Sequence, residues 1–223
     1  MTWTKSLDTI VSERHLLDHP FYTAWTRGEL TIDALRGYAG QYYKHVAAFP
    51  TYLSAIHSRT EDITTRQYLL ENLNDEEQGD ENHPELWLRF AEGLGAQREQ
   101  VRGATALPET AECDRVFREI VTTASPSAAL AALYAYESMV PAVAQSKIDG
   151  LKDHYRIDDA EMIKFFTVHL EADVWHAQVA RDLLEGAPED VRAEAEAVTR
   201  RALDALWMLL DGVVREHAPE AAA

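Results

Sequence analysis

Residues 32–56, IDALRGYAGQYYKHVAAFPTYLSAI, decide the fold class. Ile32, Leu35, Ala39, Tyr42, Val46, Phe49, Leu53 and Ile56 follow one another in steps that alternate strictly between three and four. A helix turns about 100° per residue, so these steps keep returning to one direction and draw a single apolar stripe along a long helix. Thr31 precedes the stripe as its N-cap, and Asp33 places a negative charge in the first turn, where the helix dipole favours one.

The same periodicity continues on both sides. Helices are expected over 3–18, 20–28, 61–78, 84–94, 110–123, 127–154, 159–185 and 188–216. Gly95 closes one periodic stretch, Ser125-Pro126 precedes the apolar run from Ala128, and Pro188 is followed by Glu189 and Asp190 in a first turn. No segment shows the every-second-residue alternation of a strand. The best loop, Arg102 to Pro108, is short and lies between amphipathic helices, so the expectation is all-α, a single-domain helical bundle over 1–217. The closing APEAAA, 218–223, reads as a disordered tail. No repeat of fixed period is evident.

The chain has 223 residues, 46% of them hydrophobic, which is ample for a sizeable core. Its net charge of −17 repels phosphate backbones and acidic membrane surfaces, so neither nucleic acid nor membrane is an expected partner. No apolar run approaches the roughly 20 residues of a membrane span. The start, MTWTKSLDTIVSERH, carries charges where a secretion signal needs an apolar stretch. A lone Cys113 excludes an intramolecular disulfide and suits a reducing compartment, so a cytoplasmic location is expected.

The sharpest chemical pattern is His169, Asp173 and His176 in FFTVHLEADVWHAQVARDLL. Offsets of four and seven return to nearly one direction on a helix, so one ion can meet all three side chains. Two imidazoles and a carboxylate suit iron, manganese or zinc. A polar surface stripe or a hydrogen-bonded core network would use the same residues.

Glu76 and His83 are also seven apart, but Gly79 and Pro84 both argue against one unbroken helix between them. A weak spot is expected there, and a solvated acidic turn is the plainer alternative. Glu137 lies in an apolar helix, AALYAYESMVP, where a carboxylate needs a partner. That partner is a cation, Ser138 or a basic side chain. Pro141 withholds the N–H that would pair with the carbonyl of residue 137, so the helix should kink there. Together, three separate stretches offer the carboxylates and imidazoles that di-iron helical bundles assemble. Asp75 and Glu77 flank Glu76 as outer partners or as solvated charge.

HPFYTAWTRGELT, YYKHVAAFPTYLSAIHSR, NLNDEEQGDENH, AALYAYESMVP, KIDGL and HLEADVWHA together resemble the family of the chlamydial protein associating with death domains, over nearly the whole chain. That family is a branch of the haem-oxygenase-like di-metal oxidases and oxygenases. The resemblance implies metal ligands at Glu76, His83, Glu137, His169, Asp173 and His176, with none missing. It implies two metal ions, Fe/Fe or Fe/Mn, with dioxygen and an external reductant as co-reactants. The activity implied is 4-aminobenzoate formation for folate, with Tyr22 as the ring source and Lys147 as the amino donor. Tyr38 and Tyr136 match further tyrosines near the family's site, while Phe165 stands where a relative can carry another. On an unkinked helix Tyr136 and Lys147, eleven apart, would share a face. Ordinary core packing for the tyrosines and solvent exposure for Lys147 are the alternatives. A homodimer is the candidate assembly.

Four other functions compete. A di-iron oxygenase of this fold can act on a diffusible amino acid or fatty acid, and a helical scaffold can serve purely for interaction. Thiaminase-like hydrolysis would want a nucleophilic cysteine, but Cys113 sits among charges with no histidine close in sequence. Haem ligation through His15 or His19 would leave the carboxylate-rich set unexplained.

Overall fold

The computed structural model describes residues 2–222 as α1 (Thr4–Glu13), α2 (Pro20–Thr26), α3 (Ile32–Arg59), α4 (Ile63–Glu77), α5 (His83–Gly93), α6 (Arg98–Gly103), α7 (Pro108–Thr123), α8 (Pro126–Glu137), α9 (Val140–Tyr155), α10 (Ala160–Glu185) and α11 (Glu189–His217). Among the described residues there is no strand. The Thr31 hydroxyl accepts the Ala34 N–H at 3.0 Å and opens α3. The expected stripe turns inward, with Leu35, Ala39, Leu53 and Ile56 fully buried. Truncating Leu53 or Ile56 to alanine would cost about 2–5 kcal/mol. Pro50 lies inside α3 without ending it, because the packed stripe on both sides outweighs one lost hydrogen bond.

Around α3 lie α4, α5 and α7; α11 runs along α7 and α8, and α10 along α5, α8 and α9. The apolar faces of these helices meet in one continuous core. Among the described residues no helix is long and apolar enough to cross a membrane.

Several boundaries differ from expectation. The helix expected over 3–18 ends at Glu13 and resumes as a 3-10 turn at Leu16–Asp18. The loop expected over 102–108 is shorter, because α6 extends to Gly103. The single kinked helix expected over 127–154 is two helices. α8 closes at Glu137, and α9 starts at Val140 with Pro141 in its first turn, where a missing N–H costs nothing. Tyr136 and Lys147 therefore sit on different helices, and the shared-face estimate does not apply. The tail also differs: Ala218 is buried and Pro219–Ala222 form a 3-10 turn against α2 and α11, while Ala223 lies outside the described residues.

The weak spot between Glu76 and His83 appears as a break. Gly79 takes φ +78°, a left-handed conformation that glycine adopts without strain. Asn82 then caps α5 through its contact with the Glu85 N–H at 3.0 Å. The turn delivers His83 beside Glu76.

Candidate metal centre

Six buried side chains from four helices converge in two trios: Glu76, His83 and His169, and Glu137, Asp173 and His176. Within each trio the donor atoms all lie within 4.8 Å of one another. Among the described residues these are the two places where three such groups meet. One helix, α10, supplies His169, Asp173 and His176, and the others come from helix ends: Glu76 and Glu137 from the last turns of α4 and α8, His83 from the first residue of α5.

Carboxylates at helix C-termini face the negative end of the dipole, an arrangement that a bound cation relieves. His83 Nδ1 stands 2.8 Å from Glu76 Oε2, yet off the direction of a hydrogen bond, so that buried nitrogen has no hydrogen-bond partner. Asp173 Oδ2 is likewise buried and unpartnered. Burial and the neighbouring Asp173 charge push the Glu137 carboxyl up to about 8. Burial alone would lower His176, but contact with Asp173 and the charges of Glu137 and Asp75 carry it up to about 9. Burial and the nearby His83 lower His169.

Outer partners orient these groups. His169 Nδ1–H donates to the Phe165 carbonyl, leaving Nε2 free. His176 Nε2 bonds Asp75 at 3.1 Å, so Asp75 is the flanking acid with a structural partner. The side chain that satisfies Glu137 is Asn72, whose Nδ2 donates to Oε1 at 2.6 Å, with the Tyr68 hydroxyl at 3.4 Å from Oε2. Ser138, the sequence alternative, instead donates to the Ala135 carbonyl. Tyr68, Asn72 and Glu76 recur every fourth residue on α4, a polar stripe that sequence reading passed over.

Next to the trios lies an aromatic chamber. Lys147 is only 3% exposed, and its Nζ donates to the Tyr38 hydroxyl at 2.7 Å. Five aromatic rings, those of Tyr22, Tyr38, Tyr42, Trp87 and Phe166, surround Nζ at 4.9–5.4 Å. No carboxylate pairs with it among the described residues, and burial pushes its pKa down to about 7. The Tyr22 and Tyr38 hydroxyls are 3.3 Å apart, and those of Tyr42 and Tyr136 are 2.8 Å apart. Tyr42 is the member of this chamber that sequence reading treated as core alone, since nothing in an apolar stripe reveals where a hydroxyl points.

Two cavities of about 10 Å³ each, room for about one water-sized molecule, adjoin these groups. Glu76, Glu137, His169 and Asp173 face one, Lys147, Tyr42 and Phe166 face the other, and Tyr136, Phe165 and His169 border both. Larger surface depressions at Arg14 and Arg200 and along Gly37 and Gly40 hold none of the six converging side chains.

Residues 36–209 match the family model described as iron-containing redox enzyme. The chain belongs to that family. The chain is similar to the 4-aminobenzoate synthase of Nitrosomonas europaea, at 47% identity covering 95% of this chain and 91% of the relative. It is 40% identical to the 4-aminobenzoate synthase of Chlamydia muridarum, over 95% of this chain and 89% of that protein. The fold is shared with a CADD-like protein of unknown function from Nostoc punctiforme, at a TM-score of 0.79 and 17% identity over 97% of each chain. Both the haem-oxygenase-like fold and the family implied by the resemblance are thereby borne out.

For an iron-containing redox enzyme the converging donors are chemically apt: three imidazoles and three carboxylates, with two orphaned donor atoms that ions would satisfy. The competing sites look different. His19 Nδ1 accepts the Phe21 N–H and its Nε2 bonds Asp211, while His15 Nδ1 accepts the Leu17 N–H, so both histidines cap helices. Cys113 is buried, and burial raises its thiol far from the thiolate that a nucleophile requires.

Proposed function

We propose that this enzyme makes 4-aminobenzoate from its own Tyr22, with the amino nitrogen drawn from Lys147. The observation that carries the reading is the pairing of a buried, carboxylate-free lysine with a tyrosine pair, beside cavities too small for an amino acid or fatty acid. The relatives named 4-aminobenzoate synthase supply the product class.

Glu76, His83 and His169 would hold one ion, and Glu137, Asp173 and His176 the other. Two redox-active ions, Fe/Fe or Fe/Mn, would supply the one-electron chemistry toward dioxygen, with electrons from an external reductant. The protein's own groups do the rest. Burial pulls the Lys147 pKa down to about 7, so near neutral pH a substantial fraction of its nitrogen keeps the lone pair that bonding to a ring requires. Tyr38 holds that nitrogen and also meets the Tyr22 hydroxyl. Tyr136 borders the metal-side cavity, Tyr42 bonds it, and the Tyr42 ring lies 5.1 Å from that of Tyr38. A continuous run of phenols thus joins the metal side to Tyr22. Asn72 and Tyr68 fix Glu137, and the packed aromatic walls exclude bulk water.

The test is a single turnover of protein containing ¹⁵N-lysine, loaded with iron and manganese, reduced and exposed to air. The expected result is ¹⁵N-containing 4-aminobenzoate, with mass changes localised to Tyr22, which gives up its ring, and to Lys147, which gives up its side-chain nitrogen. Unlabelled product would remove Lys147 as donor, and product from Tyr22→Phe would remove Tyr22 as ring source and favour a diffusible substrate.

A further inference from the structure

His45, on α3, is 2% exposed, and among the described residues neither of its ring nitrogens has a hydrogen-bond partner. Its neighbours are the rings of Tyr42, Phe49, Tyr52, Phe117 and Tyr136, at centroid distances of 4.9–6.0 Å. A phenylalanine would occupy that niche without leaving polar atoms unpaired, so packing alone gives no reason for an imidazole.

The hydroxyl inventory beside it supplies one. The hydroxyls of Tyr42 and Tyr136 bond each other at 2.8 Å, and among the described residues neither hydroxyl makes another hydrogen bond. One of their two hydroxyl protons lies within the pair, while the second has no acceptor. Burial keeps His45 neutral, pushing its pKa down to about 4 against the opposing pull of Asp114, so one ring nitrogen carries an unused lone pair. A donor without an acceptor and an acceptor without a donor thus sit in adjacent rings, with His45 edge-to-face on Tyr136 at 4.9 Å. No hydrogen bond joins them at rest, and a side-chain rotation must close the gap.

Oxidation of a buried phenol needs such a base. Removing one electron makes the phenol a far stronger acid than an imidazolium, so its proton passes downhill to a neutral imidazole that comes within reach. Lys147 points its nitrogen at the Tyr38 hydroxyl instead, and the carboxylates of the two trios would be bound to the ions in the metal-loaded protein.

We propose that His45 is the proton acceptor of the Tyr42–Tyr136 pair during oxidation. The phenol gives one electron to the oxidant and its O–H proton to the imidazole, leaving a neutral phenoxyl radical and an imidazolium. Re-reduction returns both. This role rests on the function proposed above, in which dioxygen is the terminal oxidant, but its chemistry can be tested without metal.

In the test, metal-free protein is oxidised with a photogenerated ruthenium(III) polypyridyl complex, and the tyrosyl radical is measured by electron paramagnetic resonance. The pair's signal is the yield lost on changing both Tyr42 and Tyr136 to phenylalanine. His45→Phe should remove at least nine-tenths of that signal while the thermal midpoint stays level or rises. In His45→Ala, added imidazole should restore the signal, a rescue that a packing role would not give. An undiminished signal in folded His45→Phe, or a pair that yields no radical in the parent, would overturn the proposal. In metal-loaded protein, His45→Phe should slow single-turnover tyrosine loss at least tenfold with metal content unchanged. A parent that forms the radical photochemically but makes no 4-aminobenzoate would instead count against the proposed function alone.

Discussion

Replacing Lys147 with methionine should stabilise the metal-free protein, by an amount that depends on pH in a defined direction. Burial holds the folded-state amine at about 7 against an ordinary 10.5. Below pH 7 the lysine is protonated in both folded and unfolded chains, so the parent bears the full penalty of a buried charge, on the order of 5 kcal/mol. Between pH 7 and 10.5 the unfolded chain holds the proton and the folded one does not, so parent stability rises with pH. The advantage of Lys147→Met should shrink by roughly 1 kcal/mol per pH unit across that window. Above it, only the bond to Tyr38 distinguishes the two, favouring the parent by about 1 kcal/mol. Urea unfolding of parent and variant at pH 6, 7.5 and 9 measures the difference, with every other titration common to both. A difference that stays flat over this range, or a parent more stable than the variant at pH 6, would refute desolvation as the controlling cause.

Asp173→Asn and His83→Ala should each reduce metal stoichiometry from two ions per chain toward one, as read by elemental analysis, because each removes a donor from a different trio. Chelation should lower the thermal midpoint and raise hydrogen exchange at Gln78, Glu85 and Leu86, whose amides bond Asn74 and Asn82 at the helix ends that carry Glu76 and His83; occupancy at a hundred times Kd is worth about 3 kcal/mol, and unchanged exchange there would count against ions holding those helix ends together. Asn72→Leu should weaken metal binding without unfolding the chain, since it strips Glu137 of its 2.6 Å partner, and titration calorimetry would detect the loss. Gly150→Ala should destabilise by about 1–3 kcal/mol in thermal melts, because overpacking is costly and a Cβ there would stand 2.6 Å from the Trp25 ring.

Much of this architecture was legible along the chain. The alternating steps from Ile32 to Ile56 forecast both the existence of α3 and its buried face, because helix geometry converts spacing into direction without reference to neighbours. The same conversion placed His169, Asp173 and His176 on one side of α10. Gly79 and Pro84 marked the break before His83 for an equally local reason, as did Pro141 near Glu137, although the strength of that second break was underestimated. The tail's ordering escaped notice because Ala218 is held by contacts with distant helices, and composition does not report contacts.

What the sequence determined by itself was therefore local: helix positions, apolar faces, turn sites and the inventory of donor side chains. The pairing of Glu76 and His83 with His169, the hold of Asn72 on Glu137, and the enclosure of Lys147 among five rings were decided only by tertiary packing. Each joins residues far apart in the chain, and propensity and periodicity act over a few turns of helix, whereas these contacts depend on how whole helices cross. The orphaned nitrogens of His45 belong to the same class, for whether a polar atom has a partner is a property of its surroundings in space.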